Sequence, residues 1–94
     1  MMIDFNIPLK KLSGEAIMEA GKPMCIKDLL ANGLVNQRTN SRSMQTYELA
    51  GRIYNSETPI NITPSEKDII VEYLESRDNG LTVLAAAQIL AIVK

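Results

Sequence analysis

The chain has no histidine and no tryptophan, and only one cysteine, Cys25, and one phenylalanine, Phe5. Each absence removes a class of chemistry. Without a second cysteine there is no disulfide within the chain. Without histidine there is no Cys/His zinc site and no Cys-His or Ser-His-Asp nucleophile system. Neither G-x-G-x-x-G nor G-x-x-x-x-G-K-[ST] occurs, so no recognised phosphate cradle is present. No apolar run reaches the roughly 20 residues that span a bilayer. The first dozen residues lack the charged start and long apolar core of a signal peptide, so a cytoplasmic setting is expected. No cofactor, metal or catalytic residue is expected, and the chain reads as not an enzyme.

What remains is an ordinary globular composition. Hydrophobic residues make up 46% and charged residues 22%, values that argue for folding rather than disorder. The apolar material is aliphatic, with five Met that pack adaptably and often line surfaces accepting partners. Ten basic and eleven acidic residues leave a net charge of -1, so no global field draws the chain to nucleic acid or anionic lipid.

Residues 1-94 are expected to form a single domain, with an extended or hairpin arm at 2-24 and a helical core at 26-93. The fold class is α+β, mainly helical: a short N-terminal β-hairpin or arm followed by four helices. Ile3, Phe5 and Ile7 alternate with Asp4 and Asn6, the period of a half-buried strand that Pro8 ends or places at an edge. Ser13-Gly14 and Ala20-Gly21-Lys22-Pro23 are turn signals, and Ala16 to Met18 suits a short returning strand. From Ile26 the period changes. Ile26, Leu29, Leu30 and Leu34 share a helix face, which the polar run from Asn36 to Asn40 ends.

A second helix is expected to start near Ser41 or Ser43 and run to about Tyr54, with Met44, Tyr47, Ala50 and Tyr54 on one face and Leu49 and Ile53 beside it. Ile60-Asn61-Ile62 alternates again and is a candidate neighbour for the N-terminal strand. Thr63-Pro64-Ser65-Glu66 is a capping box with proline at the first helical position, predicting a third helix from Pro64 to about Arg77. Ile69, Ile70, Tyr73 and Leu74 form its core face, and Glu66, Lys67, Asp68, Glu72 and Glu75 its wet side. Asp78-Asn79-Gly80 closes it, with Asn79 or Gly80 suited to a left-handed conformation.

The candidate sites are few. Asp68 with Glu72 or Glu75 shares a helix face, but an acid/base pair needs a cleft with two different environments, and periodicity places these carboxylates in solvent. Asp78-Asn79-Gly80 lacks the spaced ligands of a calcium loop. Cys25 lies between Met24 and Ile26 with no activating histidine and reads as a small core residue. Residues 36-54 are the one stretch suited to reading DNA, since Arg38, Arg42 and Arg52 lie among Asn and Gln on two helices with a polar turn between them. That turn is longer than the usual three or four residues.

The last stretch, Leu81 to Val93, stands out, because only Thr82 and Gln88 in it are polar. A helix apolar on nearly every side must be covered on nearly every side, and this one is too short for a bilayer. Leu84, Ala85, Gln88, Ile89 and Ile92 are the candidate interface residues. A protein partner or a homo-oligomer is therefore expected, with nucleic acid less favoured and no membrane.

The order of several segments resembles small proteins encoded in phage and prophage genomes. These are the opening Ile3-Asp4-Phe5, the stretch from Leu9 to Ile17, the helix Ile26 to Asn32, Leu49 to Asn55, the capping box, and Ala87-Gln88-Ile89-Leu90. The resemblance spans nearly the whole chain. It carries no active-site residue to any position and implies a phage accessory or virion-assembly role. The expected function is thus a non-enzymatic, phage-derived interaction protein, a tail or head assembly factor in its most concrete form, working through an apolar helical surface. The alternative is a small DNA-binding transcriptional regulator using residues 36-54.

Overall fold

The computed structural model describes residues 1-37, 42-76 and 80-93. Among the described residues, four strands of two residues each and four helices give a mainly helical α+β fold: β1 (Met2–Ile3), β2 (Met18–Glu19), β3 (Lys22–Pro23), α1 (Ile26–Val35), α2 (Ser43–Tyr54), β4 (Ile60–Asn61), α3 (Pro64–Glu75) and α4 (Val83–Val93).

The N-terminal alternation is present but only partly paired. β1 joins β4 antiparallel, Met2 against Asn61 and Ile3 against Ile60, as the Ile60-Asn61-Ile62 pattern suggested. Beyond Ile3 the backbone bonds elsewhere: Phe5 and Ile7 carbonyls accept from the Lys27 and Ile26 amides at the start of α1. The alternation persists there because burial, not ladder pairing, sets it, with Ile3 and Phe5 inside and Asp4 and Asn6 outside.

The return expected at Ala16 to Met18 is present as an antiparallel Lys10–Ala16 bridge, and Met18 continues into β2, which forms a hairpin with β3. Its turn holds Ala20 at φ +52 and Gly21 at φ +80, the left-handed pair of a tight hairpin turn. Alanine carries a steric penalty there that glycine does not. Leu9, Ile17 and Met24 are then tied together by backbone bonds of 2.7 to 2.8 Å, which fold the arm onto itself.

Helix α1 buries Ile26, Leu30, Ala31 and Leu34. Helix α2 buries Thr46, Leu49, Ala50 and Ile53. The face carrying Met44, Tyr47 and Tyr54 is thus turned outward, and these three are 70%, 68% and 52% exposed. Leu49 and Ile53, with Ala50, hold the α2 side of the core instead, since two β-branched or branched aliphatic side chains fill it without burying phenol hydroxyls.

Helix α3 is capped as the sequence predicts: Glu66 N-H donates to Thr63 Oγ1 at 3.2 Å and Thr63 N-H to Glu66 Oε1 at 2.9 Å. Glu66 departs from the expected wet side and is 9% exposed. The helix stops at Glu75, and Ser76 turns extended with φ -70 and ψ 144. Arg77, Asp78 and Asn79 lie outside the described residues, and Gly80 has φ +73. Helix α4 begins two residues later than the apolar run, at Val83, because Thr82 caps it: the Ala85 amide donates to Thr82 Oγ1 at 3.2 Å. Ala85, Ile89 and Val93 from α4 join Ile3, Phe5, Leu9 and the inner faces of the other helices in one apolar cluster.

Candidate functional site

Helix α4 shows how far the domain covers its own apolar material. Ala85, Ile89 and Val93, at i, i+4 and i+8, are buried. This corrects the expected interface at two positions, Ala85 and Ile89, which belong to the core and cannot meet a partner while the domain is closed. Gln88, expected in the same interface, is committed to the arm. Its amide accepts from the Lys10 N-H at 2.9 Å and donates to the Lys10 carbonyl at 2.5 Å, standing in for a strand neighbour. Leu84 and Ile92 are half-buried.

The outer side of α4 is formed by Val83, Ala87 and Ala91, also spaced i, i+4 and i+8, with Leu84 beside them. Val83 is 87% exposed. No charged residue lies between Val83 and Val93, so this outward face has no polar cover. The sequence pointed to this helix but could not give its outward register, because a helix apolar all round has no stripe from which to read one.

A second apolar surface lies between α1 and α2. Ala31, Ala50 and Gly51 form the floor of an open groove of about 330 Å³, and Val35, Tyr47 and Tyr54 stand along it. Asn32 and Glu48 supply its polar rim. This groove was missed in the sequence, where the tyrosines read only as members of a helix face. At the neighbouring end, the buried Thr46 Oγ1 has no hydrogen-bond partner among the described residues.

The arginines expected to read DNA are differently employed. Arg42 donates to Glu72 Oε2 at 2.6 Å, and Arg52 pairs with Glu66 and donates to the Asn61 carbonyl at 2.7 Å. Both guanidinium groups thus face carboxylates of α3. Arg38 lies outside the described residues. The exposed side of α2 carries Met44, Tyr47, Glu48, Arg52 and Tyr54.

The carboxylates of α3 do not converge on a cleft. Asp68, Glu72 and Glu75 lie on its exposed side, and Glu72 is bonded to Arg42. Cys25 is half-buried beside Pro8, with Sγ 4.0 Å from the Pro23 carbonyl. Among the described residues no three His, Cys, Asp or Glu side chains are grouped to hold a metal ion, and no helix is long and apolar enough to cross a membrane. Among the described residues, the Tyr73 phenol has its pKa raised above its ordinary value by burial.

Comparison with known proteins gives no match to any family model, and no curated protein or solved structure shows significant similarity.

Proposed function

We propose that this chain is a non-enzymatic interaction protein whose binding surface includes the outer side of α4. The observation that carries this reading is the uncovered apolar strip of Val83, Ala87 and Ala91, flanked by the half-buried Leu84. The outward side of α3, by contrast, bears Asp68, Glu72 and Glu75. Exposed apolar strips cost free energy in water and mark the places where proteins meet. A role in phage head or tail assembly is the most concrete form of the reading, and it rests on the resemblance of the sequence to small phage and prophage proteins.

The test uses Ala87→Lys/Ala91→Lys. Both positions are exposed, so the double variant should keep its helical circular dichroism and its melting temperature within a few degrees. A protein that cross-links to the wild type in its native cells and is lost from the variant supports the proposal. Retention of the same set of partners by both forms overturns it.

A further inference from the structure

We infer that the exposed face of α2 is a self-recognition surface that pairs two copies of this chain, α2 against α2, antiparallel about a two-fold axis passing close to Gly51. This surface is separate from the strip on α4 and does not depend on it.

Three observations converge on α2. The first is Gly51 itself, in the interior of a regular helix, where glycine weakens the helix relative to alanine. Nothing lies within 4 Å of the position a Cβ would occupy there, so packing inside the domain does not require the glycine. A bare backbone in open space suits the close approach of another chain. The second is the pair of exposed tyrosines, Tyr47 one turn before Gly51 and Tyr54 one turn after it, standing along the groove whose floor is Ala31, Ala50 and Gly51. The third is charge: Glu48 and Arg52 lie at i and i+4, together on the flank of Gly51 opposite the tyrosines.

These features are complementary to their own image. In an antiparallel pair of helices related by a two-fold axis, like flanks face each other, and residues before the axis meet residues after it. With the axis near Gly51, Tyr47 of one copy meets Tyr54 of the other, twice, and each ring pair lies over the groove between α1 and α2. On the other flank Glu48 of one copy meets Arg52 of the other, again twice, with opposite charges apposed. Arg52 keeps its bonds to Glu66 and the Asn61 carbonyl on its inner side, and its side chain remains 46% exposed for the second copy. A parallel two-fold pair would instead set the tyrosine flank of one copy against the Glu48 and Arg52 flank of the other, losing both pairings.

The surface is one helix and one groove wide, smaller than a permanent interface, so the expected dimer is reversible in the micromolar range. Its exposed ion pairs should make it weaker at high salt.

The experiment is sedimentation equilibrium of the full chain across the micromolar range at low and at high salt, comparing wild type with Gly51→Leu, Glu48→Arg and Ala87→Lys. All three positions are exposed, and circular dichroism melting of each variant checks that the monomer fold is intact. The expected result is a wild-type dimer weakened by salt, with Gly51→Leu and Glu48→Arg each weakening it by about tenfold or more while Ala87→Lys leaves it unchanged. A wild type that stays monomeric throughout, folded Gly51→Leu and Glu48→Arg variants that dimerise like wild type, or a dimer abolished by Ala87→Lys would overturn the inference.

Discussion

The hydroxyl and ring of Tyr73 on α3 occupy the space that a side chain at Gly33 of α1 would need. A Cβ built at Gly33 overlaps Tyr73 Oη and Cζ, so the two helices approach as they do because residue 33 has none. Elsewhere in a helix, glycine to alanine gains about 0.4 to 1 kcal/mol. At Gly33 the same change should instead cost about 1 to 3 kcal/mol, the range for overpacking a filled core. Gly51→Ala, with open space above it, is the internal control and should stabilise the monomer. Opposite signs in urea unfolding would establish the contact, and a stabilised Gly33→Ala would refute it.

Glu66 joins the α3 cap to α2. One carboxylate oxygen accepts from the Thr63 amide at 2.9 Å and the other meets Arg52. Thr63→Ala removes one acceptor at the helix start and should cost about 1 kcal/mol. Glu66→Ala strands both the Thr63 amide and the inner side of Arg52, so about 2 to 3 kcal/mol is expected. Equal losses for the two variants would show that the cap alone matters. The double variant should lose less than the sum, since the two bonds belong to one capping box and hold the same turn.

Gln88 is the clasp between α4 and the arm. Gln88→Ala leaves the Lys10 amide and carbonyl without their side-chain partner at the surface, where water replaces it, so the expected cost is modest, about 1 kcal/mol. The more specific readout is amide hydrogen exchange. Lys10 should exchange faster in the variant while amides of the α3 interior keep their protection. Unchanged exchange at Lys10 would mean the arm is held by its own backbone bonds.

The two sides of α4 should respond oppositely to charge. Ile89→Asp places a carboxylate at a position with 0% exposure and should unfold the domain or cost several kcal/mol. A folded, soluble Ile89→Asp variant would contradict the burial of that face.

Tyr73 also predicts a response to alkali. Burial raises its pKa above 10.0, so the folded state holds the phenol neutral at a pH where the unfolded chain ionises it. The unfolded state therefore binds fewer protons, and folding stability falls with rising pH. Tyr73's contribution should be complete below about pH 10 and lost as pH rises from there through the folded pKa. The checking measurement is denaturant unfolding between about pH 9 and pH 11, where Tyr73→Phe should show a shallower decline than wild type. Parallel declines would place Tyr73 in a more hydrated setting.

How much was legible in the chain varies by element, for identifiable reasons. The capping box was legible because its chemistry is local: Thr63, Pro64 and Glu66 satisfy one another within a single turn, whatever surrounds them. The pairing of Ile60 with Ile3 followed from two short alternations, each needing a neighbour. Helix α4 was recognisable as one needing cover, but its outward register was not, since Val83, Ala87 and Ala91 are as apolar as Ala85, Ile89 and Val93. Glu66 looked like a surface charge because nothing in its neighbourhood announces Arg52, fourteen residues earlier. Tyr47 and Tyr54 looked like ordinary members of a helix face, and only the position of α1 turned them into the wall of a groove.

Sequence alone determined the elements whose energetics close within a few residues: the α3 capping box, the N-terminal turns, the helical periods, and the absence of histidine and paired cysteine that removes whole classes of chemistry. Tertiary structure decided which apolar residues were left over. Core and surface differ by which side chains the neighbouring helices reach first, and that contest between distant segments is settled only when α1, α3 and the arm have packed.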